Sequence, residues 1–533
     1  MSAADAGTGG RGKRWSVGAA QAGCAAIFVW AVAQFYQPGT GFTSLISIGD
    51  ATAVREVAAL RGVPHYVYPD SAGYDGAYYV QLALDPTLRN PELAKEPPPI
   101  DNLQYRARRI LFCWIAWALG LGQPAWIVQA FALLNVASWL ALAWVLLRWF
   151  PATSWDDFFR WFAVMFSHGV AMSVRDSLVD GPALLLVAVA MAARERGAAN
   201  GGAALLGLAG LGRETSLLAL AGFAPAEGRP RGAWRNFARA AMLAAVPLLA
   251  WMAYVRWRIG PADDPGLGNF TLPFAGLAGK WGAALAGVTP RDDGALRWAT
   301  LAATVALTVQ FLFFALRWRP GEAWWRVGAV FAVMMAFLAT PVWEGFPGAA
   351  TRVLLPMTLA FNVLVPRGRA WLPVLLAGNL TVLATLPEFN PPPRDFLHVA
   401  GDSRLVAAVQ LEPVVGWDGP ESRGNRRWRW SLGQSDLRIR NHSGGPVVVT
   451  MRGAVAAVEK RSVQIAVADA PVWSGEVATK PIEFQFECTA PPGDTLVRFA
   501  SDKPPSILPQ DPRKLAFNVL NLEVVVKPAA GQR

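Results

Sequence analysis

The residue types best suited to chemistry in this chain are aspartates set among tyrosines and arginines. In Gly73-Tyr-Asp-Gly-Ala-Tyr-Tyr-Val-Gln-Leu-Ala-Leu-Asp-Pro86, Asp75 stands beside a glycine and among Tyr74, Tyr78 and Tyr79, and Asp85 closes the segment against a proline. A carboxylate held beside aromatic rings at a membrane surface can take a proton from a sugar hydroxyl. The same stretch also reads as a polar turn leading into an amphipathic helix. Asp50, just after the first apolar run, is a second acid of the same kind. Further along lie Arg106, Arg108 and Arg109, then Arg175, Asp176 and Asp180, then Arg213 and Glu214, and finally Glu344 and Arg352. Arginine forks match phosphate oxygens through paired, charge-assisted hydrogen bonds. A cation beside a departing phosphate offsets the charge that phosphate gains. Together these residues suit transfer of a sugar from a lipid phosphate. His65, His168, His398 and His442 are scattered, and the cysteines Cys24, Cys113 and Cys488 show no zinc or disulfide spacing. No metal or cofactor is expected beyond the donor itself.

The elements that must position these groups are apolar. The chain has 533 residues, of which 53% are hydrophobic and only 16% charged, and the apolar residues come in long runs. That composition excludes an ordinary soluble protein and predicts a polytopic helical membrane protein. The formal charge of +11 does not call for nucleic acid, because most arginines flank hydrophobic runs as the positive-inside tendency requires.

Taken in order, residues 1–14 are basic and stay cytoplasmic, and Val17 to Phe35 forms a retained first helix rather than a cleaved signal. Residues 36–106 make a large extracytoplasmic loop containing Asp50, Asp70, Asp75 and Asp85. Ile110 to Leu121 falls short of the ~20 residues a span needs and is placed at the outer interface. Spans come next at Ala125–Trp149, Phe158–Val174 and Pro182–Ala193. Ala203 to Ala224 is interrupted by Gly212-Arg-Glu-Thr215 and has cytoplasmic flanks on both sides, which predicts a re-entrant pair of half-helices with Arg213 and Glu214 near the tip. Ionisable groups at that depth cost ~2.5 kcal/mol or more unless paired or wetted. Phe237–Trp257 leads to a second outer loop, 259–294, with Asp263, Asp264 and Arg291 to Asp293. Leu296–Leu316, Trp324–Thr340, Val353–Val365 and Trp371–Leu386 complete about nine spans. The N-terminus is then cytoplasmic, and the chain after the last span lies on the outer side of the cell's inner (plasma) membrane.

After Pro387 the pattern changes to short alternating runs bounded by turns, such as Ile482-Glu-Phe-Gln-Phe-Glu487, and an extracytoplasmic all-β sandwich is expected. Trp417, Trp428, Trp430 and Trp473 could stack on sugar rings there, or fill its core. Asn269-Phe-Thr271 and Asn441-His-Ser443 match the glycosylation sequon. The expected domains are therefore 1–386, helical, and 387–533, all-β.

Tyr74-Asp-Gly-Ala-Tyr-Tyr-Val-Gln-Leu-Ala83 resembles the acidic first-loop motif of GT-C-type membrane glycosyltransferases, in the form found in bacterial proteins related to GPI mannosyltransferases and GT39-like enzymes. Tyr105-Arg-Ala-Arg-Arg-Ile110, Arg175-Asp-Ser-Leu-Val-Asp-Gly181, Leu211-Gly-Arg-Glu-Thr215 and Arg352-Val-Leu-Leu-Pro356 are similar to stretches of the bacterial members, as is a trailing sandwich with Trp428-Arg-Trp-Ser431. The resemblance implies an inverting transferase that uses a polyprenyl-phosphate sugar, with the first-loop acid as base and Arg213 and Arg352 on the lipid phosphate. Ala77 departs from the aromatic or Gln common after the motif's glycine. Many GT-C enzymes carry the key acid directly after the first helix, where Asp50 lies, so Asp75 and Asp50 both stand as the base. The implied partners are a membrane lipid donor and a glycan, lipid or protein acceptor. Alternatives are a lipid-linked glycan polymerase or ligase, a glycolipid transporter or flippase, and a scaffold that only presents a partner.

Overall fold

The computed structural model describes residues 5–37, 39–53, 55–68, 71–225, 231–261, 266–287, 289, 293–392, 396–401, 403–423, 426–508 and 511–529. The chain divides into two compact units. One comprises Met1–Gln34, Leu45–Val57 and Ala72–Asn390, and the other Phe35–Ser44, Ala58–Ser71 and Pro391–Arg533.

The first unit is helical. Among the described residues, five helical stretches are long and apolar enough to cross a membrane: Ser16–Ala33, Pro124–Arg148, Arg231–Ile259, Gly294–Leu316 and Arg369–Phe389. The four other expected spans fall on helices below that length. The run expected at Phe158–Val174 is two helices, Trp155–Met165 and His168–Arg175, with Ser154 capping the first through the Asp157 amide. Asp180–Glu195, Ala323–Phe337 and Leu355–Leu364 have 16, 15 and 10 residues, below the length that crosses a bilayer upright. Leu111–Leu119 is short, as expected, and exposes Trp117 and Leu119 while burying Leu111, Phe112, Cys113 and Ala116.

The interrupted segment forms a hairpin. Helix Ala199–Gly212 ends where Arg213 turns extended, and a 3-10 helix, Glu214–Phe223, runs back along it. Glycines set the spacing: a Cβ on Gly210 would fall 2.9 Å from Leu217, and one on Gly202 would fall 2.9 Å from Phe223. Arg213 and Glu214 are thus at the tip. At the hairpin's other end, Arg326 donates to the carbonyls of Ala221, Gly222 and Ala224, which a helix leaves unpaired. Glu195 there accepts from Arg148 at 2.8 Å and from Trp324 at 3.0 Å. Asp180 and Glu195 begin and end one helix, so they lie ~22 Å apart along its axis.

The second unit holds the β-rich domain. Its strands are β1 Leu397–Gly401, β2 Val409–Arg423, β3 Arg426–Asn441, β4 Val447–Ala457, β5 Arg461–Val467, β6 Ala470–Val477, β7 Ile482–Ala490, β8 Gly493–Ser501, β9 Ser506–Leu508, β10 Asp511–Leu515 and β11 Phe517–Pro528. Hydrogen bonding runs in one path, β6-β5-β8-β3-β11-β4-β7, with β2 added to β3 and β1 to β11. Alternation drives it: Thr495, Val497 and Phe499 point inward while Leu496 and Asp494 are exposed. All faces share one core, including Leu437, Val449, Ile465, Phe484, Phe499 and Val524. Trp473 of β6 and Phe484 of β7 meet at 5.7 Å, which brings the two ends of the path together. The domain is β-rich as expected, with nine strands joined in one rolled sheet rather than two separate ones, β9 and β10 paired apart from it, and a short helix, Ser403–Ala408, between β1 and β2. Trp417 and Trp473 pack on the core, and Trp417 donates to the Asp436 carbonyl at 2.9 Å. The sequon residue Asn441 is buried, and its amide donates to the carbonyls of Gly445 and Ala490. That geometry makes it a turn-forming residue, inaccessible to glycosylation in the folded state.

Candidate functional site

The site is built where the first polar loop meets the ends of several helices of the helical unit. Asp75 directly precedes helix Gly76–Leu84, and its carbonyl accepts the Tyr78 and Tyr79 amides. Gly76 explains the Asp-Gly pair. A Cβ there would lie 2.2 Å from the Asp176 carbonyl and 2.6 Å from that of Ile46, so only glycine lets the three backbones meet. Gly73, at φ +72°, would place a Cβ 2.6 Å from the Gly49 nitrogen, and glycine adopts that backbone without strain.

Around Asp75 the charges alternate. Arg106, from helix Leu103–Ala107, reaches Asp75 Oδ1 at 3.0 Å, grips Asp101 with two hydrogen bonds of 2.6 and 2.7 Å, and lies over the Tyr78 ring at 4.4 Å. Arg352, from the one-turn helix Ala350–Val353, stands 3.4 Å from Asp75 Oδ2 and 3.3 Å from Asp180 Oδ2, and donates to the Tyr74 hydroxyl at 3.0 Å. Its Nε is buried with no hydrogen-bond partner among the described residues. Arg213, at the hairpin tip, completes the row by pairing with Asp180 Oδ1. Beside the row, Arg109 grips Glu214 with two bonds of 2.8 Å and donates to the Tyr79 and Tyr105 hydroxyls.

These groups differ in exposure. The Asp180 side chain is fully buried, whereas Asp75 keeps 23% of its side-chain surface exposed. Burial alone would raise the Asp75 carboxyl, but Arg352, Arg106 and Arg109 hold it down at about 2. Asp176 lies against Gly76, accepts the Ser47 hydroxyl at 2.5 Å and is 3.6 Å from Arg175. Burial pushes its carboxyl up to about 6, against the pull of Arg175 and the Ser47 hydrogen bond. Opposite charges lower a carboxyl and desolvation raises it, so the two neighbouring acids are driven apart.

Most of the residues singled out in the sequence come together here: Tyr74, Asp75, Tyr78, Arg106, Arg109, Arg175, Asp176, Asp180, Arg213, Glu214 and Arg352. Asp50 is exposed at the start of the short helix Asp50–Ala53 and makes no ion pair with Arg106, Arg213 or Arg352. Glu344 is exposed and forms no ion pair among the described residues. Asp85 holds a turn, accepting from Thr87 and from the Asn90 amide. Asp70, Arg229, Asp263, Asp264, Arg291 and Asp292 lie outside the described residues. Among the described residues no three His, Cys, Asp or Glu side chains are grouped to hold a metal ion.

Three contributors are not evident from sequence. Asp101 anchors Arg106, and a carboxylate five residues before an arginine is the only local hint. Ser47 sits at φ +57°, a conformation nothing in its neighbours announces. His168, which reads as an ordinary polar residue, is buried, bonded to the Thr351 hydroxyl at 2.8 Å and to Glu388 at 3.2 Å. It steadies the turn that carries Arg352. Gly169 next to it admits that turn, since a Cβ would fall 2.4 Å from the Thr351 carbonyl.

No family model matches the chain, and no curated protein matches it. Among solved structures, the arabinosyltransferase EmbB from Mycobacterium smegmatis aligns over 84% of this chain and 62% of its own length, at 11% identity and a TM-score of 0.31. A chain described as "CBM4 structure and function" aligns over 21% of this chain and 77% of its own, at 10% identity and a TM-score of 0.15. Likenesses this weak carry no argument about fold or chemistry, which rest on the geometry above.

Proposed function

We propose that the chain is an integral membrane glycosyltransferase that takes a sugar from a polyprenyl-phosphate donor and passes it, with inversion, to an acceptor hydroxyl on the extracytoplasmic side. The observation that carries this reading is the alternating row Asp101–Arg106–Asp75–Arg352–Asp180–Arg213, buried at one end and reaching solvent at Asp75. Replacing a purely structural buried ion network with apolar side chains is often neutral or stabilising, so its presence argues for use of the charges themselves. Arg106 and Arg352 hold their guanidinium groups beside Asp75, an acid of the row that reaches solvent. A lipid phosphate reaching this row would be met by donors already fixed in place.

Sidedness supports the same reading. Arg148, Glu195 and Trp324 gather at the end of helix Asp180–Glu195 opposite the site, where the arginine-rich flanks favour the cytoplasm. The acceptor, a glycan, lipid or protein, approaches from outside. The resemblance in the first loop leaves Asp75 and Asp50 both as candidate bases, and the ion pairs of Asp75 with Arg106 and Arg352 favour it over Asp50 as a member of the site.

The test is transfer of labelled sugar from a panel of polyprenyl-phosphate donors in proteoliposomes, wild type beside Arg352→Gln and Arg106→Gln. Transfer by wild type, reduced about 100-fold or more in the variants, supports the reading. Donor translocation across the bilayer without sugar transfer would sink it in favour of a flippase, whose broken helices at membrane depth the Arg213–Glu214 hairpin shares.

A further inference from the structure

The backbone at Asp176 abuts Gly76, the residue after Asp75, and both acids act on Tyr74 and feel Arg352, yet their carboxylates are occupied differently. Both Asp75 oxygens face guanidinium groups, Oδ1 that of Arg106 and Oδ2 that of Arg352. Asp176 has one oxygen engaged: Oδ1 accepts the Ser47 hydroxyl, which itself accepts from Arg175 at 2.7 Å. Oδ2 of Asp176 accepts no hydrogen bond from a described residue, and the side chain keeps 12% of its surface exposed.

We infer that Asp176 takes the proton from the acceptor hydroxyl, while Asp75 serves as the counter-ion that aims Arg106 and Arg352. The inference rests on the glycosyl-transfer reading and moves the base within it. The acceptor oxygen bonds to the anomeric carbon as the bond from that carbon to the phosphate oxygen breaks. The electron pair leaves on the lipid phosphate, beside Arg106 and Arg352, and the hydroxyl proton passes to Asp176 Oδ2 and then to water. A carboxylate whose oxygens are both turned to guanidinium groups is a weak proton acceptor, and a base works best when its pKa lies near the working pH. The value of about 6 for Asp176 against about 2 for Asp75 agrees with the geometry. The groups facing Asp176 are Arg175 from its own helix, Ser47 from the first loop, Glu388 from the turn Leu386–Phe389, and Arg352 and Tyr74 across the site.

The experiment measures kcat against pH in proteoliposomes for wild type, Asp176→Asn, Asp176→Glu, Asp75→Asn and Ser47→Ala. Binding of undecaprenyl phosphate in detergent is measured beside it. Asp176→Asn should lower kcat about 100-fold or more while leaving undecaprenyl phosphate affinity within about twofold, and Asp176→Glu should restore part of the rate. Wild type should lose rate below about pH 6, the value set by Asp176. Ser47→Ala, which removes a hydrogen bond to the ionised form, should move that limb upward, and Asp75→Asn should slow the reaction without abolishing the limb. An Asp176→Asn enzyme with the wild-type rate, or an acidic limb erased by Asp75→Asn, overturns the assignment and leaves glycosyl transfer standing. If Asp176→Asn does not fold, an unshifted limb in Ser47→Ala overturns it instead. A wild-type protein that transfers nothing from any donor overturns both.

Discussion

Two parts of the molecule are dense in arginine–carboxylate pairs, and they use them in opposite ways. In the β-rich unit, Arg513 draws Asp418, Glu421 and Asp511 to 2.8, 2.6 and 2.7 Å, and Arg438 and Arg440 share Glu412 and Asp494. Those partners are wet, with Glu412 56% and Asp494 51% exposed. In the helical unit, Arg213 and Arg352 converge on Asp180, whose side chain is fully buried. Exposed pairs contribute ~0–1 kcal/mol and cost little to place. Burying an ion costs several kcal/mol, which a good partner only offsets. The surface pairs trim the edges of strands, whereas the buried row holds charge in an interior that water does not reach.

The comparison breaks most sharply at Asp180. Asp180→Asn leaves two buried guanidinium groups without their shared counter-ion, and removing one partner of a buried pair costs about 3–5 kcal/mol. Thermal melting in detergent should show that loss, together with loss of sugar transfer. An unchanged melting temperature would place Asp180 among the surface-type pairs.

Gly76→Ala comes next. Its Cβ would collide with the carbonyls of Asp176 and Ile46, and overpacking against backbone costs about 1–3 kcal/mol. The separation of Asp75 from Asp176 should grow, so transfer should fall more than stability. Gly419→Ala in the β-rich unit, where a Cβ meets nothing within 4 Å, is the matched control for melting.

The two site acids should sharpen the contrast through pH, with opposite signs. Asp75, held down at about 2 in the fold against an ordinary 3.8, contributes stability that is present above about pH 4 and lost as pH falls towards 2. Asp176, raised to about 6, binds its proton more tightly in the folded state, so stability falls as pH rises from about 4 to 6. Melting curves across pH should flatten between 2 and 4 in Asp75→Asn and between 4 and 6 in Asp176→Asn. Asp176→Asn should also melt higher than wild type at neutral pH while losing turnover, the mark of a group kept for function at a cost in stability. A slope of the other sign in either window refutes the corresponding assignment.

The smallest effect is expected at Arg513→Ala, under about 1 kcal/mol in melting and none on transfer. A loss comparable to that of Asp180→Asn would mean that the β-rich unit's charges are not the dispensable set.

Much of the site was legible before the structure, because an unpaired charge in an apolar chain is conspicuous. Asp75, Arg213, Glu214 and Arg352 stand out from their surroundings by type alone. Their partners do not. Arg109 and Glu214 are 105 residues apart and Asp75 and Arg352 are 277 apart, and nothing local to one points to the other. Asp50 and Glu344 look equally eligible in the sequence, yet folding leaves them exposed, because eligibility by residue type carries no distance. The shortened helices have a related cause. Apolarity marks a run as buried, but Phe166-Ser167 interrupts one run and Pro356 stands at the start of another, so helix length followed local breaks rather than composition.

By itself the sequence determined the division into apolar helices and alternating strands, the hairpin with a polar tip, and the set of charged residues from which a site had to be made. These stem from hydrophobic length and period, which are local properties. Packing alone sets which acids meet which arginines, the close approach that Gly76 and Gly169 permit, and the opposite directions in which the Asp75 and Asp176 carboxyls are shifted. Those outcomes depend on burial and on distances between segments far apart in the chain. Burial and neighbouring charge, not residue type, set what a carboxylate can do.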